Sequence, residues 1–385
     1  MSRKYLRALG GAAVVTAMVA LAGCQTGGNT GDNQSGKCGG KIAIFGAFSG
    51  GNAGIVLPSR DGAKMAIEKF NAANPNCKVT MVEFDTEGDP AKATPVANQV
   101  AADQSFVAVI GGHFSGESRA TMKTYEGGGL VMVSPSATAT DLTTTGNKSF
   151  HRVVGNDDSQ GPAIANYINK VWKSTKVFVT DDGSAYGAAL ANTVKSKLGT
   201  AVIGNDKVQE KQADFAATIA KVKTSGADVV FHGGYVREAA PMLKQLRAAG
   251  FTGKFIGGDG LYDPAFADSA GKTESEGAVV TCPCIPSNKA KGSFDFASEF
   301  KAKYGTEPGP YAAEGYDAAT VLLDGFKAGK TTRKEMLDWV DAYNKAGLTK
   351  TIKFDDKGEV AAENVVIWAY MVKGGAVVAD QEIPK

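Results

Sequence analysis

Histidine is scarce in this chain: only His113, His151 and His232 occur in 385 residues, far apart, with no His-x-His or Cys-x-x-Cys beside them. A zinc site of ordinary ligand spacing is therefore not expected, nor any other metal or cofactor. Blocks of like charge are also missing, since 42 Lys and Arg are interspersed with 40 Asp and Glu for a formal charge of +2. A nucleic-acid partner would normally leave a basic stripe, so none is expected. The chain has no Gly-x-Ser-x-Gly elbow and no motif that pairs a histidine with a serine or an acid, so the usual marks of an activated nucleophile are lacking. What is present is an ordinary globular composition, 43% hydrophobic and 21% charged, in a chain long enough for two domains.

The one long apolar run, Ala8 to Leu21, follows a basic segment with Arg3, Lys4 and Arg7 and is too short to span a membrane comfortably. It reads as an export signal over residues 1–23. Leu21-Ala22-Gly23-Cys24 resembles a lipobox, which would make Cys24 the lipidated N-terminus of the mature chain and anchor it on the extracytoplasmic face of the cell membrane. Residues 24–40, rich in Gly, Asn, Thr and Ser, read as a flexible tether. Four further cysteines are an even number in an exported protein, where disulfides are permitted. Cys38 and Cys77 each stand just before an apolar run; if those runs are neighbouring parallel strands, their starts lie side by side and the two cysteines pair. Cys282-Pro283-Cys284 is a tight ring that allows a disulfide, two free thiols or a metal pair.

From residue 41 short β-branched runs alternate with amphipathic stretches, the pattern of repeated βα units and parallel sheets. Strands are expected at Lys41–Phe48, Val79–Phe84, Phe106–Ile110 and Leu130–Val133. Helices are expected at Arg60–Ala73, from Asp89 to Ala102 with a kink or late start at Pro95, and at Glu117–Tyr125. After Asp157-Asp158 the cycle restarts with a helix Gln160–Trp172. Strands Lys176–Thr180, Ala201–Ile203, Val229–Phe231 and Lys254–Ile256 follow, with helices Tyr186–Leu198, Phe215–Lys223 and Arg237–Ala249 between them. Beyond Gly277–Thr281, helices Phe294–Lys303, Tyr311–Lys327 and Lys334–Lys345 and strands Thr351–Phe354 and Asn364–Val372 complete sheets begun earlier.

In open parallel sheets the ligand sits beyond the carboxyl ends of the strands, where strand order reverses. The loops there are rich in small residues: Ser49 to Ile55 after the first strand, Gly111 to Gly116 after the third, Ser134 to Thr138 after the fourth. The third-strand loop opens a helix, whose free N–H groups suit a carboxylate or phosphate, although no P-loop lysine follows. Asp181 to Gly187, Gly233-Gly234-Tyr235 and Gly257 to Gly260 hold the equivalent places in the second half. Glu83, Asp85, Glu87 and Asp89 are explained as strand, loop and cap residues.

An ordered series of stretches then resembles one family: Gly62-Ala63, Asp89-Pro90, Val109-Ile110-Gly111, Ser134-Pro135-x-Ala137-Thr138, Ser159-Gln160-Gly161-Pro162, Tyr186-Gly187, Gly233-Gly234-Tyr235, Gly309-Pro310-Tyr311 and Asp356-Lys357-Gly358. The chain from Lys41 onward resembles the leucine/isoleucine/valine-binding proteins, the substrate-binding components of branched-chain amino-acid ABC importers. The resemblance implies an α/β fold of two Rossmann-like lobes with parallel sheets, the type I periplasmic binding protein, joined by three crossings near Asn156–Ser159, Cys282–Cys284 and Glu363–Val366. The first lobe would comprise 41–156 and 283–363, the second 157–282 and 364–385. It implies no enzymatic activity and, as partners, an amino-acid ligand, permease and ATPase subunits, and the membrane through the N-terminal lipid.

The resemblance carries residues over singly. Ser115 matches the serine that holds the ligand carboxylate, Thr138 the threonine that touches carboxylate and ammonium, and Ser136 and Ala137 give backbone contacts. Tyr186 and Tyr235 match tyrosines that cover the ligand, and Asp259 falls where the family has a glutamate facing the ammonium, one methylene longer. Ile55 replaces an aromatic residue against the ligand side chain, and Tyr311 is a further pocket candidate. An amide, urea or aromatic acid as ligand, or a sensory lipoprotein on the same fold, are the alternative readings.

Overall fold

The computed structural model describes residues 38–384 except 291 and 293. The signal segment, the lipobox and most of the tether lie outside the described residues. Among the described residues no helix is long and apolar enough to cross a membrane.

The chain first alternates β1 (Gly40–Gly46), α1 (Ala53–Ala73), β2 (Val79–Asp85), α2 (Pro90–Ala102), β3 (Phe106–Ile110), α3 (Ser115–Gly127), β4 (Val131–Ser134) and β5 (Phe150–Arg152). These strands form a wholly parallel sheet in the order β2-β1-β3-β4-β5. It then runs through α4 (Asp157–Asn166), β6 (Val177–Asp181), α5 (Ala185–Leu198), β7 (Val202–Lys207), α6 (Ala216–Ser225), β8 (Val229–Gly233), α7 (Val236–Ala248), β9 (Lys254–Gly257), α8 (Ala265–Ala270), α9 (Lys272–Ser275) and β10 (Val279–Cys282). Three helices follow, α10 (Phe296–Tyr304), α11 (Ala312–Lys327) and α12 (Arg333–Asp341), then a separate hairpin of β11 (Asn344–Ala346) and β12 (Thr351–Lys353) and a last one of β13 (Trp368–Lys373) and β14 (Ala376–Glu382). The second sheet has the order β14-β13-β10-β9-β8-β6-β7, antiparallel only at β13 and β14. The chain thus leaves the first sheet after β5, returns after β10, and goes back to the second before β13.

The central strands are buried along their whole length, and mainly apolar, because helices cover both faces: all five residues of β3 and of β8 are buried. Cys38 and Cys77 precede the paired strands β1 and β2 and form a disulfide, and Cys282 is joined to Cys284 at the return crossing. Helix α11 lies against α1 so closely that a Cβ at Gly62 would stand 1.9 Å from the carbonyl oxygen of Ala312. Gly62→Ala is accordingly expected to push the two helices apart and destabilise the protein by about 1–3 kcal/mol, measurable as a lower midpoint in denaturant unfolding.

Several elements differ from the sequence-based expectation, for identifiable reasons. Helix α1 starts at Ala53 rather than Arg60; Pro58 deprives the Gly54 carbonyl of a donor without ending the helix, so Ile55 lies on its first turn instead of in a loop. Helix α2 starts at Pro90 behind the expected cap, Asp89 accepting from Ala91 N, so the alternative late start at Pro95 does not occur and the helix passes through that proline. The helix expected to Trp172 is α-helical only to Asn166 and continues as a π-helical segment. Helix α12 stops at Asp341, and Asn344–Ala346 is a strand, because Asp317 of α11 takes the N–H groups of Leu348 (2.5 Å) and Thr349 (2.9 Å) and so fixes the β11–β12 turn. The expected strand from Asn364 begins only at Trp368.

Candidate functional site

All nine residues singled out for ligand contact line one small cavity between the two sheets: Ile55, Ser115, Ser136, Ala137, Thr138, Tyr186, Tyr235, Asp259 and Tyr311. His113, Phe114 and Gly260, which sequence reasoning passed over, complete the lining. The cavity sits at the reversal of strand order in each sheet, between β1 and β3 on one side and β6 and β8 on the other.

On the first-sheet side the backbone is arranged by serines. Ser134 Oγ donates to Gly112 O (2.7 Å) and accepts from Ala137 N (3.0 Å), and Ser136 Oγ donates to His113 O (2.9 Å), which ties the loop after β4 to the loop after β3. Ser115 opens α3, and its Oγ accepts from Ala139 N at 3.2 Å. The Thr138 hydroxyl is buried, close enough to Asp157 to favour the ionised carboxylate, yet has no hydrogen bond of good geometry among the described residues. His113 is pushed down to about 4 by burial, opposed by its bond to Phe45 O, so it is neutral and engaged with Phe45 O (2.7 Å) and Ser59 Oγ (3.2 Å). Ser59 is itself wholly buried under α11, so this pair is a packing contact and not a nucleophile with its base.

The second-sheet side converges on Asp259, which follows β9. Its carboxylate accepts from Tyr186 OH (2.9 Å), Gln160 Nε2 (2.9 Å) and Tyr311 OH (2.7 Å). Tyr186 in turn accepts from Gly260 N at 3.1 Å. Tyr311 precedes α11 in a left-handed conformation (φ 57°), so its bond to Asp259 joins the two halves of the molecule. Phe114 and Tyr235 also meet across the divide, edge to face at 5.2 Å, and Tyr235 lies 5.2 Å from Tyr186.

A second carboxylate, Asp157, is the residue sequence reasoning missed. It is the first residue of α4, fully buried, and neither oxygen has a hydrogen-bond partner among the described residues. Burial, and then the charge of Asp259, hold its carboxyl well above the ordinary value; burial likewise raises Asp259 against the pull of Tyr311, Gln160 and Tyr186. The signal was present in the sequence as Asn156-Asp157, a cap and a first-turn acid, a pair that ordinarily does nothing more than start a helix. No lining side chain of the cavity carries a positive charge.

The cavity has a free volume of only about 10 Å³, whereas the outer chamber it meets at Phe114 and Tyr235 has about 430 Å³. The outer chamber is walled by surface groups such as Glu87, Asp89, Lys211 and Arg237, several of them engaged with one another or with local backbone. The inner cavity brings the hydroxyls of Ser115, Ser136, Thr138, Tyr186 and Tyr311 together with the buried acid Asp259, and at this volume it holds nothing larger than a water.

Two α/β lobes on mainly parallel sheets, three crossings and a polar cavity lined from both sides define a type I ligand-binding fold. The chain belongs to the periplasmic binding protein family, whose sequence profile matches residues 40–376. It is 32% identical over 330 residues to the leucine-, isoleucine-, valine-, threonine- and alanine-binding protein of Pseudomonas aeruginosa, covering 83% of this chain and 87% of that one. It is 32% identical over 351 residues to the leucine-specific-binding protein of Salmonella typhimurium, covering 88% and 93%. A crystal structure of a leucine-binding protein from Thermotoga maritima superposes with a TM-score of 0.81 at 27% identity, covering 89% of this chain and 98% of that one.

Proposed function

We propose that this chain is the extracytoplasmic substrate-binding protein of an ABC importer, held to the membrane by a lipid on Cys24, which takes an aliphatic amino acid into the cavity and delivers it to permease and ATPase subunits. The observation that carries this reading is the polarity of the cavity. One wall offers hydroxyls and helix-opening N–H groups around Ser115 and Thr138; the other offers Asp259 with Asp157 beside it, and no side chain lining the cavity is cationic. An α-amino acid brings a carboxylate for the first wall and an ammonium for the second, and buried charges are tolerated when so paired. Ile55, Phe114 and Tyr235 are left for an apolar side chain. The relatives named for leucine, isoleucine and valine support the same class.

In this reading residues 41–156 with 283–363 and residues 157–282 with 364–385 move as two bodies about the crossings, and the ligand, touching both, favours the closed arrangement by its higher affinity for it. Native mass spectrometry of gently purified protein tests the ligand class: a retained mass of leucine, isoleucine or valine is expected, and a ligand with no amino group would overturn the reading. Capture of permease subunits by the full chain is expected of a transport role; capture of a signalling receptor instead would assign it to sensing.

A further inference from the structure

The turn Ser136–Ala139, which presents Thr138 to the cavity, is held from behind by one residue. Arg152, at the end of β5, is wholly buried, and each of its five N–H groups has an acceptor. Two from Nη1 go to the carbonyls of Ala137 (3.0 Å) and Ala139 (2.9 Å), on either side of Thr138. Nη2 reaches Thr143 Oγ1 at 3.3 Å and Glu359 Oε1, and Nε reaches Glu359 Oε2 at 2.8 Å. Glu359 also accepts from Thr143 (2.6 Å) and from Asn156 Nδ2 (3.0 Å). It sits at the end of a turn locked to β5, where Arg152 N donates to Gly358 O at 3.0 Å and Gly358 (φ 83°) leaves no room for a side chain against Phe150 O. Asn156 is the cap of α4 and stands at the first crossing, directly before Asp157; Glu359 stands shortly before the third.

The geometry points to Arg152 as the positioning residue of the carboxylate-binding turn, with Glu359 tying the orientation of that turn to the hinge crossings. Arg152 does not line the cavity and touches no ligand. Its fork fixes the peptide plane that enters Thr138 and the one that leaves Ala139, and so holds the short stretch between them, with the direction of the Thr138 hydroxyl and of the neighbouring amides. Lysine keeps the charge but has three donors on one atom and cannot span both carbonyls, Thr143 and both oxygens of Glu359 together. The assignment rests on the reading of this wall as the one that takes a ligand carboxylate.

The test titrates leucine and leucinamide, which lacks the carboxylate, into wild type, Arg152→Lys and Glu359→Gln, and follows backbone amide exchange of the ligand-free proteins. Loss of two or more bonds from a charged donor is expected to weaken leucine about tenfold or more, to leave leucinamide within about threefold, and to speed exchange at Ala137 and Ala139, whose amides are held by Ser134 and Ser115. Equal weakening of both ligands would assign Arg152 to general stability and overturn the inference, as would unchanged exchange at both amides. If Arg152→Lys does not fold, Glu359→Gln decides the matter by the same two measurements. A wild type that binds neither ligand would instead sink the proposed function, and the exchange result would still decide the role of Arg152.

Discussion

Replacing Asp259 by Asn lowers the affinity for leucine by roughly 30-fold or far more, because removing one partner of a buried charged pair costs about 2–5 kcal/mol. The change preserves shape and keeps one oxygen for Tyr186 and Gln160, while the new amide nitrogen faces the Tyr311 hydroxyl, which can accept from it, so the loss falls mainly on the ammonium. Ser115→Ala costs less, about 1.5–3 kcal/mol for one hydrogen bond to a charged group, since the backbone donors of α3 remain. Titration calorimetry of both variants, with thermal unfolding as a control, gives the ranking. An Asp259→Asn protein that binds leucine as tightly as wild type would remove Asp259 from the ammonium site.

Asp157→Asn is expected to act in opposite directions on stability and on binding. Asp157 is a buried carboxyl whose oxygens have no hydrogen bond of good geometry among the described residues, held well above 3.8 by burial and by Asp259 against the pull of Thr138 and Arg152. A carboxyl whose folded value is raised binds its proton more tightly in the native state. It therefore contributes stability that is complete below its unfolded value and is lost as pH rises through the folded value. The amide does not ionise and so escapes the cost of a buried charge, and at neutral pH the variant is expected to be more stable by about 1–3 kcal/mol. Glu117, Glu314 and Asp182 are also raised by burial, to about 7, 7 and 6, so wild-type stability alone mixes several groups. The difference between wild type and Asp157→Asn isolates this one. Binding runs the other way: an arriving ammonium favours the ionised form, so leucine affinity in wild type rises with pH through the same window and loses part of that slope in the variant. Affinity at neutral pH is expected to fall roughly 10-fold or more, as for a lost charged partner. Melting curves and titrations across pH check both signs, and a variant with lower stability and unchanged affinity would contradict them.

The order of strands and helices was legible because parallel sheets covered on both faces need short, mainly apolar runs, and β3 and the Val229–Phe231 part of β8 are such runs. Three features were less visible. Pro58 disguised the first turn of α1, since local propensity disfavours proline there while packing against α11 decides the outcome. Strand β5 has three residues and no pattern that so short a segment could display. Asp157 looked like a helix-opening acid, and only the tertiary structure brings it near Asp259, about a hundred residues later in the same lobe segment. Tyr311 was legible as a pocket candidate by resemblance, but its bond to Asp259 depends on a left-handed backbone that Gly309-Pro310 does not announce by itself.

The central claim is that opposite walls of the cavity bind the two ends of a zwitterion. Its most direct test is titration of the wild-type protein with leucine and with 4-methylpentanoate, which has the same carboxylate and side chain but no ammonium. Leucine is expected to bind at least about 30-fold more tightly, the effect of leaving a buried carboxylate without its charged partner. Equal affinity, or a preference for 4-methylpentanoate, would contradict the account.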